Sequence, residues 1–327
     1  MFLVTGGAGF IGSNLVAALS DRGGDPIAVC DIVDSAEKSA NIAKHHVSAV
    51  IEPDDLLPWL AANEDDVETI FHMGASSATT ETNMDFLLDN NFGVSLDLWR
   101  WCSARNRRLI YASSAATYGD GQAGFVDDND PAALGRLHPL NAYGLSKQLF
   151  DLNAVYLAAA GHHPRQWAGL KFFNVYGPNE QHKGGQRSVA VQLFEQISAE
   201  GQVKLFRSHH PDYADGGQCR DFIWVGDCVD VMLWLLDNPG VNGVYNCGTG
   251  AARSFLDLAH ACFDAMGRDP EIDYIDTPEN IRANYQYFTE ADMTRLRDSG
   301  YDRSFTTLED GVARYIKDYL ATNDPHR

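Results

Sequence analysis

Met1-Phe2-Leu3-Val4-Thr5-Gly6-Gly7-Ala8-Gly9-Phe10-Ile11-Gly12 opens the chain with an apolar run, three spaced glycines and the first residues of an amphipathic pattern. Glycines at 6, 9 and 12 allow a tight turn, let a pyrophosphate approach a helix N-terminus, and let that helix pack closely on the preceding strand. Ile11, Leu15, Ala18 and Leu19 share one helical face up to Gly23-Gly24, a helix stop. Asp31, about 20 residues after Gly12 and at the end of a second apolar run, stands where a carboxylate accepts hydrogen bonds from an adenosine ribose. Strand, turn, helix and acid in this order predict a dinucleotide-binding unit.

Working outward, short apolar runs at residues 1–5, 26–31, 47–51, 67–73 and 107–113 alternate with helical stretches. That alternation predicts an α/β fold built on a doubly wound parallel sheet of six or seven strands. Residues 140–160 read as a further helix and 166–175 as a further strand. Past Gly177-Pro178-Asn179 a polar stretch rich in His, Gly, Lys and Arg follows. Two domains are expected: residues 1–175 binding the dinucleotide, and 176–327 forming mainly a smaller α/β substrate-binding domain, with segments near 222–250 returning to the first. In that half, helices are predicted at 189–199, 227–237, 254–266 and 307–320, and strands at 203–206, 219–224 and 244–247. Residues 322–327 read as a frayed tail.

Lys and Arg number 25 against 45 Asp and Glu, a formal charge of −20. Such a field repels phosphate backbones and anionic membranes, so neither nucleic acid nor a membrane is an expected partner. An anionic ligand would need a local cluster of donors. The six cysteines form no Cys-x-x-Cys pair and read as buried thiols, and no apolar run or leader-like segment stands out, so the expected compartment is the reducing cytoplasm. His45-His46, His162-His163 and His209-His210 lack partners at ligand spacing, so no metal is expected. Asp127-Asp128-Asn129-Asp130 reads as a solvated turn.

Chemistry is carried by Ser113-Ser114 at a strand end and by Tyr143-Gly144-Leu145-Ser146-Lys147. Positions four apart share a helical face, so Tyr143 and Lys147 point the same way. An ammonium beside a phenol, with a cationic nicotinamide ring nearby, favours the phenolate and makes it a usable base near neutrality. Ser114 can share the substrate proton.

With these motifs in order, the chain resembles the extended short-chain dehydrogenase/reductase superfamily, whose members have a Rossmann-like fold. Within its nucleotide-sugar epimerase branch, the ADP-glyceromanno-heptose 6-epimerase family is the most similar. Tyr111-Ala112-Ser113-Ser114-Ala115-Ala116-Thr117-Tyr118-Gly119 carries that likeness, as do Phe173-Asn174-Val175-Tyr176-Gly177-Pro178-Asn179-Glu180-Gln181-His182-Lys183-Gly184, Arg220-Asp221-Phe222 and Tyr285-Gln286-Tyr287-Phe288-Thr289.

The resemblance implies inversion at C6'' of an ADP-heptose through a transient ketone, for lipopolysaccharide core synthesis. Lys183 would be a second acid/base opposite Tyr143. It implies cofactor contacts from Gly6, Gly9, Phe10, Ile11, Gly12, Asp31, Ile32, Lys38, Ala75, Asn91, Lys147, Val175 and Lys183. Substrate contacts are implied for Ser114, Asn174, Gly185, Gln192, Phe206, Arg207, Ser208, His209, Arg220 and Tyr285. Arg220 suits a diphosphate because guanidinium forks match phosphate oxygens, or it pairs with Asp221. Ile32 stands where that family often carries Asn, and Gly185 where a substrate-binding Ser is expected. Lys38 suits a 2'-phosphate and Asp31 a free 2'-hydroxyl, so NADP is expected with NAD as the alternative. The family also implies a homo-oligomer, a pentamer. Alternatives are another nucleotide-sugar epimerase, such as one acting at C4 of a UDP- or GDP-sugar, and a dehydratase. The dehydratase branch resembles an Asp-Glu pair where Ala115-Ala116 stand here.

Overall fold

Strand β1 (Phe2–Thr5) is buried at all four residues, as a strand covered on both faces must be. It lies at the centre of the computed structural model, which describes residues 1–282 and 285–327. The first half continues through α1 (Phe10–Arg22), β2 (Ile27–Cys30), α2 (Ala36–Ala43), β3 (Ala49–Ile51), α3 (Leu56–Ala62), β4 (Thr69–His72), α4 (Met84–Leu87), α5 (Val94–Ala104), β5 (Arg108–Ser114), α6 (Pro131–Leu134), α7 (Ala142–Ala159) and β6 (Gln166–Phe172). Then come β7 (Asn174–Tyr176), α8 (Val189–Glu200), β8 (Val203–Phe206), β9 (Cys219–Arg220), β10 (Phe222–Trp224), α9 (Val225–Asp237), β11 (Gly243–Cys247), β12 (Arg253–Ser254), α10 (Phe255–Met266), β13 (Ile272–Ile275), α11 (Glu279–Arg282), α12 (Thr294–Asp298) and α13 (Leu308–Tyr315).

Seven parallel strands form the main sheet in the order β11-β6-β5-β4-β1-β2-β3. The order reverses between β1 and β4, and the crevice above such a switch point is where ligands bind in open α/β sheets. The seventh strand, β11, comes from the segment expected to return. Around the sheet packs a first core that includes Leu3, Phe71, Trp99, Tyr111 and Leu235. A second, separate core gathers Tyr176, Leu193, Trp224, Phe263 and Tyr315 from α8, α10, α13 and the short strands between them.

Four sequence expectations change. The strand read at 166–175 is broken at Phe173, whose amide donates to Cys247 O while the next amide donates to Asp221 O; β7 therefore leaves the main sheet to pair with β10. Residues 219–224 also split, because the buried Asp221 carboxylate collects the amides of Thr249, Gly250 and Ala291. Asp127 is no solvated turn residue: it is 2 % exposed, accepts from the Asn246 amide at 2.7 Å, and burial raises it to about 6. Nor is the tail frayed. The Arg327 amide donates to Asn179 Oδ1 at 2.8 Å, His326 Nδ1 meets Asn41 Oδ1 at 2.8 Å, and Lys44 pairs with Asp324 at 2.6 Å.

All six cysteines are free thiols, and all but Cys219 are buried. Among the described residues no helix is long and apolar enough to cross a membrane, and no cluster of His, Cys, Asp and Glu is arranged to hold a metal.

Candidate active site

A cavity of about 910 Å³ lies over the switch point. Its floor is the glycine-rich turn. A Cβ at Gly12 would sit 2.1 Å from the Gly6 carbonyl oxygen, so only glycine lets the N-terminus of α1 approach the turn this closely. This cradle fits a dinucleotide pyrophosphate. Asp31 lies beside it. Its Oδ2 accepts from the Ala8 amide and its Oδ1 from Lys38 Nζ, both at 2.9 Å, and the same ammonium donates to Ile32 O. Gly6, Gly9, Phe10, Ile11, Gly12, Asp31, Lys38, Ala75, Lys147, Val175 and Lys183 all line the cavity, as do Ser114, Tyr143, Asn174 and Gly185.

One wall is formed by regular elements. Strand β5 ends at Ser114, whose Oγ accepts from the Ala116 amide to cap the short turn that follows. Helix α7 is capped by Asn141, whose Oδ1 accepts from the Gly144 amide at 2.8 Å. A Cβ at Gly144 would come within 2.7 Å of Ala116 O, so this glycine lets the helix tuck against the turn and sets Tyr143 beside Ser114. The Ser114 hydroxyl beside it favours ionisation of the Tyr143 phenol, but burial outweighs this and raises the phenol above its ordinary value. Lys147 is buried, donates from Nζ to Ala112 O at 2.9 Å, and is lowered by burial to about 8. The expected Tyr143–Lys147 face is present, yet burial dominates the phenol, with Ser114 opposing it and Asp151 adding to it.

A second wall is a loop. Lys183 lies in the first of two short turns within Gln181–Gln186, separated by a kink at Gly184 (φ 55°, ψ −125°). Its ammonium stands over the Phe10 ring at 5.0 Å; burial lowers it, and Glu180 acts in the other direction. Glu180 is fully buried, accepts from the Ser188 amide and hydroxyl and from Tyr315 OH, and is raised by burial. His182 lines the cavity as well and its Nδ1 is 3.3 Å from Asn41 Nδ2. Asn41, also buried, donates to Ala8 O and Asn179 O.

Several residues expected at the site stand behind or beside it. Asn91 is 1 % exposed; its amide bonds both backbone groups of Ser76 and the Ser146 hydroxyl, so it holds the loop rather than facing the cavity. Ile32 points outward, 51 % exposed. Gln192 donates to Arg187 O. Phe206, Arg207, Ser208 and His209 lie apart from the main cavity, with Arg207 Nε on Tyr274 O. Phe206 and Tyr285 pack edge to face at 6.2 Å. Arg220 lies between the rings of Phe255 and Tyr285, 5.6 Å from each, and donates to Cys219 O. Asp221 turns away to its own amides, so the Arg220–Asp221 pair does not form, and among the described residues no carboxylate reaches this guanidinium. Phe255 lines the main cavity and joins the two clusters.

Sequence reasoning gave no site role to Asn41 or Phe255, nor to His182 and Glu180, although both lie in the segment that carried the family likeness. Asn41 lies one turn beyond Lys38 on α2, a spacing that could have marked it. The others are placed only by the fold.

The model described as the NAD dependent epimerase/dehydratase family matches residues 2–248. ADP-L-glycero-D-manno-heptose-6-epimerase of Nitratidesulfovibrio vulgaris, strain Hildenborough, is 52% identical over 334 residues, covering 100% of both chains. The Fusobacterium nucleatum protein of the same name is 46% identical over the same span and coverage. The crystal structure of Helicobacter pylori ADP-L-glycero-D-manno-heptose-6-epimerase superposes with a TM-score of 0.77 at 27% identity, covering 97% of this chain and 95% of that one.

Proposed function

The chain belongs to the NAD dependent epimerase/dehydratase family, and on that premise we propose that it inverts C6'' of ADP-D-glycero-β-D-manno-heptose to give the L-glycero epimer, for lipopolysaccharide core synthesis. The observation that supports the reading is that Tyr143 and Lys183, both able to transfer protons, line one cavity from separate elements. Full-length relatives bearing that activity's name support it.

Inversion through a transient ketone takes a hydride from C6'' and a proton from its hydroxyl and then returns both with the other face of the carbonyl presented, and one fixed acid/base serves both geometries poorly. Bound nicotinamide cofactor supplies a reversible hydride acceptor and a positive ring. Gly6, Gly9, Gly12, Asp31 and Lys38 would hold its adenosine and pyrophosphate, with Ala75, Val175 and Lys147 further along. Tyr143, beside Ser114, takes the hydroxyl proton at one face as the C6'' hydrogen leaves as hydride, giving a 6''-ketone. Lys183 gives a proton to the oxygen formed when the other face is presented. Arg220, buried and without a carboxylate partner, grips the diphosphate, and Phe206 and Tyr285 flank the nucleotide.

NADP is the proposed cofactor, supported by Lys38, which offsets Asp31 at the ribose end and can meet a 2'-phosphate. The second core is proposed as the substrate-binding domain, the cytoplasm as the compartment, and a homo-oligomer, a pentamer, as the assembly. The test is incubation with the D-glycero substrate in heavy water without added reductant, followed by NMR at C6''. Inversion without deuterium uptake there is expected. No inversion, with nicotinamide cofactor still bound, would sink the heptose reading and move it to another nucleotide-sugar.

A further inference from the structure

Lys171 and Asp151 are fully buried, with Nζ and Oδ2 2.7 Å apart, and the reaction outlined above uses neither. Buried ion pairs are weak stabilisers, often replaceable by apolar side chains without loss, so stability alone is a poor reason for one here. Placement supplies a better reason. Asp151 lies on α7 two turns beyond Tyr143 and one beyond Lys147, on their face of the helix. Its Oδ2 also accepts from Ser113 Oγ at 2.6 Å and its Oδ1 from Tyr111 OH at 3.1 Å, both on the strand that ends in Ser114. Lys171, which faces Ser113 across the β5–β6 ladder, donates to Thr117 Oγ1 at 2.7 Å. Thr117 in turn donates to Ser114 O at 2.8 Å. The pair therefore ties the Ser114 end of β5 to the helix that carries Tyr143 and Lys147.

Resting on the epimerase reading above, we propose that Asp151 and Lys171 are positioning residues: they lock β5 against α7 and set, by their opposed charges, the field in which Tyr143 releases and regains its proton.

The groups around Tyr143 make the field simple. Lys147 and Asp151 come from α7, Tyr111 from β5, Lys171 from β6, Tyr118 from the turn after β5, His72 from β4, and Lys183 from the loop across the cavity. Asp85, Asp89, Asp97 and Arg100 on α4, α5 and the turn between them are exposed, as are Asp130, Arg136 and His138 beside α6. Burial keeps His72 far below its ordinary value, at about 3, and Tyr111 and Tyr118 far above theirs, so these three stay neutral near pH 7. Asp151 raises both Tyr143 and Lys147, and Lys171 is its hydrogen-bonded counter-charge.

Removing each charge singly must then push the titration of the Tyr143–Lys147 pair in opposite directions. Ultraviolet difference titration of each variant against the same variant carrying Tyr143→Phe reads the phenol without substrate, and the pH–rate profile of inversion reads it in turnover. At a fixed pH on the acid limb, with rates normalised to each plateau, Asp151→Asn should be faster than the unmodified protein and Lys171→Met slower, each by at least about threefold. The double variant should fall between them. Should Lys171→Met fail to fold, Asp151→Asn and the double variant carry the test, with the double expected to return toward the unmodified profile. Shifts in the same direction, no shift, or a double variant identical to Asp151→Asn would overturn the proposal. An unmodified protein that fails to invert the heptose removes the functional reading alone, since the substrate-free titration still decides the role of the pair.

Discussion

The two walls of the cavity are held by different physics. On the sheet wall, Tyr143 and Lys147 project from a capped helix that Gly144 lets close on the turn after β5, and the carboxylate beneath them, Asp151, has a cation 2.7 Å away. On the loop wall, Lys183 rides a single turn next to Gly184-Gly185, and the carboxylate beneath it, Glu180, is held by hydroxyls and an amide with no cation in hydrogen-bond contact. Tyr143, the proposed base, is therefore fixed by the fold. Lys183, the proposed second group, rides a loop held through Glu180 by Ser188 and Tyr315 and at Gly184 O by Arg187.

The sharpest way to break this comparison is Tyr143→Phe. If the sheet wall performs the first proton transfer, turnover should fall by on the order of 10³-fold while the ratio of bound cofactor to protein, read by absorbance, stays unchanged. Equal loss of both would return Tyr143 to a structural role. Lys183→Ala comes next. Inversion should drop by roughly 10²-fold, while single-turnover reduction of the cofactor by a substrate-like alcohol survives in part; inversion at the unmodified rate would take Lys183 out of the chemistry.

Gly184→Ala probes the loop tip. A Cβ there would meet nothing within 4 Å, but the residue holds φ +55°, so the cost is backbone strain, on the order of 1–3 kcal/mol. Turnover should fall several-fold while cofactor retention, assigned above to the glycine-rich turn, Asp31 and Lys38, is kept. Loss of cofactor from this variant would show the walls to be one unit.

The sheet wall was legible in the sequence because its signals are local. Glycine spacing, an acid at a strand end and a tyrosine and lysine one helical turn apart each follow from a period or a cap. The loop wall was not. Nothing within Asn179 to Gly185 distinguishes Lys183 from a solvated lysine, and only resemblance singled it out. Contacts that join distant segments also escaped: Asn41 meeting His182, residues 326–327 closing on Asn179, Glu180 meeting Tyr315. Each is a pairing across the fold with no periodicity to announce it. Asp127 escaped for the opposite reason, since a run of acids reads as solvated until the Asn246 amide is found upon it.

The smallest effect expected concerns Glu180. Burial raises its folded-state value above the ordinary 4.5, despite help from Ser188, Lys183 and Tyr315. From about that pH upward the unfolded chain releases a proton the folded chain still holds, so this group's contribution to stability declines as pH rises through the window between the two values and is flat above it. Glu180→Gln removes the titration and should flatten that slope in urea midpoints measured across the window, at a cost of about 1 kcal/mol from imperfect hydrogen bonding to Ser188 and Tyr315; an unchanged slope would mean burial does not govern this carboxylate. The same charge favours the protonated Lys183, so the variant should also release the Lys183 proton at lower pH. The sheet wall, whose carboxylate already has its cation, should show neither response to Glu180→Gln.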